Sequence, residues 1–280
     1  RRVMVQLWYP TQDEANGDLA SYAKDIMLYD KGIQDIFKSI ANRSTRSIRN
    51  APLSSAAASF PLIVYSHGGG GQIFSGTFLT EFLASNGYIV MSVGHTDDSR
   101  LERFPDGVAY VADNKQAELS DEAVAGMSQM EIYDLVVSES REFLAWRIQD
   151  ISFALDQLQA LNGNEDSIFF GKVAMDRIGA IGWSRGGAAA LQVTVDDGRV
   201  KAAINLDGTI NGQSIETRGS TRPLLMIQNA GFSAPPAAGA TDADLAELNT
   251  AVQSWTWGMF RRSTADWYYG TLSGTNHHSF

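Results

Sequence analysis

The segment RIGAIGWSRGGAAALQV, residues 177–193, decides how this 280-residue chain is built. Its apolar run, Ile178 to Ile181, has the character of a buried strand, and the alanine-rich stretch that closes it is helix-forming. Between them stands Gly182-Trp183-Ser184-Arg185-Gly186-Gly187. Gly182-x-Ser184-x-Gly186 is the spacing of a nucleophile elbow. In such an elbow the chain folds back so sharply that a Cβ at either flanking glycine would strike neighbouring backbone. The turn leaves the serine Oγ exposed at the N-terminus of the following helix, where the helix dipole and backbone N–H groups favour developing negative charge. A glycine-serine turn without chemistry shares the spacing, but the strand before and the helix after favour the elbow.

Outward from this point, short apolar runs alternate with helical patterns. The runs at 3–10, 61–67, 88–95, 200–207, 223–229 and 266–274 read as further strands. FLTEFLASNG (78–87) reads as a helix closed by Gly87. Leu144, Ile148, Ile151, Leu155 and Leu158, spaced by four, three, four and three, mark one helix face packed on the sheet. The alternation predicts an α/β fold: a mostly parallel central sheet with helices on both faces. The expected organisation is a single domain over 1–280, with 97–147 as a cap-like helical insertion. That insertion holds 12 Asp/Glu against 5 Lys/Arg, most of the net charge of −10. It reads as a solvated surface that disfavours anionic substrates near any mouth it covers. SAPPAAGA (233–240) reads as a loop.

Composition removes several classes of function. A net charge of −10 argues against a nucleic-acid partner, which requires clustered Lys and Arg. No run reaches the roughly 18 to 20 apolar residues of a transmembrane helix. Cysteine is absent, so disulfides, thiolate metal sites and a cysteine nucleophile are excluded. The four histidines, His67, His95, His277 and His278, form no HExxH pattern, and no metal or cofactor is expected. The chain opens at Arg1-Arg2 without an initiator Met and reads as processed or trimmed; localisation stays open, with secretion or a periplasmic site favoured over the cytoplasm.

A serine hydroxyl needs a base to take its proton. His277 and His278, about 90 residues beyond the elbow and after the last predicted strand, are the candidates. His67 and His95, at other strand ends, read as structural. For the acid, the strand PLLMIQN ends in Asn229 with no carboxylate before Asp242, whereas AINLDG puts Asp207 at a strand's carboxyl tip. Active groups of parallel sheets gather at that end, so Asp207 is preferred to Asp242 and Asp244. Asp196 and Asp197 read as a solvated turn at the opposite end. HGGGG, His67 to Gly71, lets backbone approach a substrate closely, and the N–H of Gly69 can join that of Arg185 as an oxyanion hole. No GK[ST] follows the glycines, which argues against a phosphate cradle.

With these residues in place, the chain resembles the platelet-activating-factor acetylhydrolase family of serine esterases, of plasma and bacterial type, within the α/β-hydrolase fold. The likeness runs through VQLWYP, VYSHGGGGQIFSGTFLTEFLASNGYIVMSVGH, the elbow, AAINLDG and SGTNHHSF. It implies an acid 23 residues beyond Ser184, which is Asp207, and selects His277 over His278 through its Gly-Ser-x-His-x-x-Phe motif. It implies the oxyanion donors Gly69 and Arg185 and a carboxylester hydrolysis through an acyl-enzyme on short acyl groups, in a small-molecule or lipid ester. The family often has His or Gln where Trp183 stands and an apolar residue where Arg185 stands. It also implies a helix beyond Phe280 to brace the histidine. Phe74, Trp183, Trp255, Trp257 and Phe260 are candidate walls of an acyl or alcohol pocket. The alternatives are a polyester or cutinase-like hydrolase on the same triad and, more distantly, a non-catalytic binding protein on this fold. Oligomeric state is not legible.

Overall fold

The computed structural model describes residues 2–12, 16–21, 43–111, 124–230 and 240–280. The sequence segments 112–123, within the acidic insertion, and 233–239, within the predicted loop, lie outside them. Among the described residues, the core is a seven-stranded sheet. It contains β1 (Met4–Trp8), β4 (Phe60–Ser66), β5 (Ile89–Gly94), β8 (Val173–Trp183), β9 (Val200–Leu206), β10 (Leu224–Asn229) and β11 (Trp267–Leu272). Their spatial order is β1-β5-β4-β8-β9-β10-β11. Only β1 runs antiparallel to its neighbour; the other pairings are parallel. The six apolar runs read as strands all lie in this sheet.

The inner strands are apolar at almost every position because both of their faces are covered. Leu62 and Val64 on β4, Met91 and Val93 on β5, and Ile178 and Ala180 on β8 point into one core. Their alternates Tyr65, Val90 and Ile181 join Trp8 and Ala84 in a second cluster. Helix α1 (Thr77–Ser85) covers the second cluster with Leu79, Leu83 and Ala84, and Gly87, at φ 90°, turns the chain out of it. The first is covered by α2 (Gln129–Asn162) and by α3 (Arg185–Asp196), the helix that leaves the elbow. Two further helices, α4 (Gln213–Arg218) and α5 (Asp242–Arg262), complete the described set.

Helix α2 carries the predicted stripe: Leu144, Ile151, Leu155 and Leu158 are buried, with Ile148 packed beside them. It begins at Gln129, well before that stripe, because Ser128 and Glu131 close a reciprocal capping box there. Two short antiparallel strand pairs were not anticipated: β2 (Leu19–Ser21) with β3 (Ser44–Ile48), and β6 (Leu101–Arg103) with β7 (Ala109–Val111). Three of these strands have only three residues, and β3 (STRSI) has a single apolar residue, so no periodicity registers. No helix among the described residues is long and apolar enough to cross a membrane.

Two expectations about acidic residues are corrected. Asp98 and Glu102, counted within a solvated insertion, are buried, because each has polar partners inside the protein. Asp197 is not simply a solvated turn either: Arg199 and Ser152 both donate to its carboxylate.

Candidate active site

Strand β8 ends at Trp183, and Ser184 takes φ 56° and ψ −126° as the N-cap of α3. A side chain at positive φ is disfavoured, and this one is held by its surroundings. The Ser184 N–H donates to the Leu206 carbonyl at 2.8 Å. A Cβ on Gly182 would lie 2.2 Å from the Gly186 carbonyl oxygen, and one on Gly186 would lie 2.0 Å from that of Ser66. Both glycines are therefore demanded by backbone contacts, as the elbow spacing implies.

Asp207 follows β9, also at positive φ (54°), and its N–H is fixed to the Ile227 carbonyl. Its carboxylate is buried and faces His277, which lies in the short turn after β11. His277 Nδ1 lies 2.7 Å from Asp207 Oδ2, and His277 Nε2 lies 2.9 Å from Ser184 Oγ. A carboxylate accepts only, so Nδ1 carries the proton and Nε2 is left to accept from the serine hydroxyl. Burial raises the Asp207 pKa, but the hydrogen bonds from His277 and from Asn229 outweigh it and hold the carboxyl below its ordinary value. Asn229 donates from its backbone N–H at 2.8 Å and from Nδ2 to both carboxylate oxygens, at 2.9 and 2.7 Å. The residue that marked a missing acid in β10 thus anchors the acid from β9. Asp242 and Asp244 lie at the start of α5, where Asp244 closes a capping box with Thr241. His278 is exposed, with its ring 5.9 Å from that of Trp183.

Trp183 donates from Nε1 to the His277 carbonyl at 2.8 Å, and its ring centroid lies 5.0 Å from the imidazole. It therefore braces the histidine loop. Trp255 stacks on Tyr133, and Trp257 packs with Phe260, Trp267 and Tyr269. Phe74 lies in the turn that leads into α1, where its carbonyl accepts from Thr77. Of the aromatic candidates, Trp183 is the one that the described contacts bring to the triad.

In the loop after β4, the N–H of Gly70 donates to the Asp98 carbonyl and that of Gly71 to the Gly68 carbonyl. The N–H of Gly69 has no such use among the described residues. Arg185 opens α3, where a backbone N–H lies outside the helix's own hydrogen-bond ladder. Its guanidinium folds across Gly69, ion-pairs with Asp98 and lies 4.8 Å from the Phe143 ring centroid.

Beneath the loop is a buried polar network that the sequence reading did not anticipate. Ser66, His95 and Asp150 repeat the triad's pattern, with His95 Nε2 2.9 Å from Ser66 Oγ and Nδ1 3.0 Å from Asp150 Oδ2. All three are buried, and Arg147 Nη1 donates to Ser66 Oγ at 3.0 Å, so this second set is structural. His67 Nδ1 lies 2.7 Å from the Gly68 carbonyl oxygen, and Nε2 receives the His95 N–H at 3.4 Å. Ser99 Oγ lies 3.0 Å from His67 Nε2 and 2.9 Å from Glu102 Oε1. One hydroxyl proton cannot serve both acceptors. The Ser99 hydroxyl donates to Glu102 Oε1. Burial pushes Glu102 up to about 8, the Ser99 hydrogen bond opposing and Asp150 adding to the rise.

A folded state that raises the Glu102 pKa in this way loses stability as pH climbs from the ordinary glutamate value of 4.5 towards about 8. Glu102→Gln keeps an acceptor for the Ser99 hydroxyl and removes the titrating carboxyl. Its melting temperature should therefore fall less than the parent's between pH 5 and pH 8 in thermal scans. Parallel profiles would place the proton elsewhere.

Among the described residues, no group of three or more His, Asp or Glu is placed to hold a metal ion. The sheet order, with a serine at the strand-to-helix elbow, defines an α/β-hydrolase fold. The solved structure of a ferulic acid esterase from Streptomyces cinnamoneus matches 95% of this chain and 65% of its own, with a TM-score of 0.68 and 25% identity. The chain belongs to the family described as Platelet-activating factor acetylhydrolase, isoform II, which matches residues 2–241. Platelet-activating factor acetylhydrolase of Canis lupus familiaris is 26% identical over 82% of this chain and 55% of its own length. That of Cavia porcellus is 29% identical over 65% and 43%. The chain thus spans about half the length of the curated relatives it matches. The family match includes Ser184 and Asp207 and ends before His277.

Proposed function

We propose that the protein is a carboxylic ester hydrolase working through an acyl-enzyme on Ser184. The observation that carries this reading is the hydrogen-bonded line from Asp207 through His277 to Ser184 Oγ. His277 Nε2 takes the serine proton as Oγ attacks the ester carbonyl, and Asp207 steadies the imidazolium that forms. The N–H groups of Gly69 and Arg185 receive the oxyanion. His277 then protonates the leaving alcohol and activates a water to release the acid. No step calls for a metal or cofactor.

The substrate class is a small-molecule or lipid ester with a short acyl group, in keeping with the acetylhydrolase family. The ferulic acid esterase neighbour supports a second reading, an aromatic acyl ester, on the same machinery. A polyester or cutinase-like activity would also use this triad, whereas a non-catalytic binding protein would have no need of its alignment. Rates on p-nitrophenyl esters from acetate to decanoate should be highest at acetate to butyrate, with kcat/KM about tenfold or more lower at decanoate. A 2-acetyl phospholipid should be cleaved faster than methyl ferulate or a polyester film. Rates that rise with chain length, or a preference for ferulate or the film, would displace the short-acyl assignment.

A further inference from the structure

Among the described residues, Arg147 has the largest side chain of those wholly withdrawn from solvent, at 0% exposure, yet it lies on α2, away from the elbow in sequence. Its Nε donates to Asp98 Oδ2 at 2.6 Å, and Nη1 donates to Ser66 Oγ at 3.0 Å and to the His67 carbonyl. Nη2 donates to the Gly68 carbonyl at 3.0 Å. That last contact bears on the chemistry. The Gly68 C=O and the Gly69 N–H are opposite ends of one planar trans peptide, so fixing the carbonyl direction fixes the N–H in the reverse direction. A cation on the oxygen end also polarises the unit and strengthens the donor at its nitrogen end. His67 Nδ1 and the Gly71 N–H hold the same carbonyl, so three donors converge on it.

We infer that Arg147 is a positioning residue of the oxyanion hole, orienting and polarising the Gly68–Gly69 peptide from beneath through its guanidinium fork. The inference rests on the serine-hydrolase reading above and adds a residue to it. Asp98 makes the burial of this cation tolerable and sets its roll about the side-chain axis, because a guanidinium without a counter-charge would not remain in such a site. Lysine provides the charge without the planar fork and cannot reach the Asp98 carboxylate and both carbonyls together.

The test compares Arg147→Lys and Arg147→Met with the parent on p-nitrophenyl acetate, with rates expressed per site titrated by an organophosphate at Ser184. Both variants should lose about tenfold to a hundredfold in kcat, with KM changed by less than about twofold, since the hole acts on the transition state. Inhibition by a boronic acid, whose tetrahedral adduct places an oxygen in the hole, should weaken by a similar factor. A purely structural role would lower melting temperature and titratable sites while leaving kcat per site and boronate affinity intact, and that result overturns the inference. If neither variant yields titratable enzyme, Asp98→Asn, which withdraws the counter-charge that holds the Arg147 guanidinium under the loop, must lower kcat per site; an unchanged kcat overturns the role of Arg147. These outcomes are distinct from failure of the underlying reading, which would appear as undiminished hydrolysis by Ser184→Ala.

Discussion

Ser184→Ala should lower kcat on p-nitrophenyl acetate by about 10⁵- to 10⁶-fold, to whatever the oxyanion donors and binding provide unaided. The size of the loss follows from the geometry. His277 Nε2 has the serine hydroxyl at 2.9 Å, and the strained elbow holds that Oγ at the helix N-terminus. Without the hydroxyl no acyl-enzyme forms, and water must be activated in a site built around a covalent step. The measurement is burst and steady-state release of p-nitrophenolate, with thermal unfolding to verify the fold. A variant retaining a tenth of parent activity would mean that another group makes the attack.

Asp207→Asn should cost about 10³- to 10⁴-fold in kcat. An asparagine at this position can present its amide nitrogen to His277 Nδ1, which would favour the tautomer protonated on Nε2 and leave no lone pair for the serine proton. Asn229 sharpens the effect. Its backbone N–H and its Nδ2 already donate to the carboxylate of Asp207, so the new amide would meet donors where acceptors are needed. Asp242→Asn, at an exposed position opening α5, should change the rate by no more than about twofold. If the two effects were exchanged, the acid would lie on the later segment and His277 would have to turn to meet it.

The parts of this molecule legible in sequence are those fixed by local sterics. Gly182 is demanded by the backbone of Gly186 within the same elbow, and Asp207 stands at a strand tip that the apolar pattern locates. The α2 stripe was readable because packing on a sheet imposes a helical period. What escaped was decided by long-range pairing. Arg147 and Asp150 stand one turn apart on the face defined by Leu144, Ile151 and Ala154. Charges on an apolar face are a signal, but their partners Asp98, His95 and the loop carbonyls are far away in sequence. Asn229 was read as an empty position because a supporting amide has no pattern of its own. The aromatic residues of α5 were legible as aromatic but not in their surroundings: Trp255 meets Tyr133, and Trp257 meets β11.

Asp98 grips two arginines at once, Arg147 under the glycine loop and Arg185 over it. Anyone reshaping the mouth by altering Arg185 would therefore also disturb the anchor of the loop below. Substitutions at 98, 147 and 185 should be non-additive, and a library that varies one while freezing the other two will misjudge which side chains this architecture tolerates.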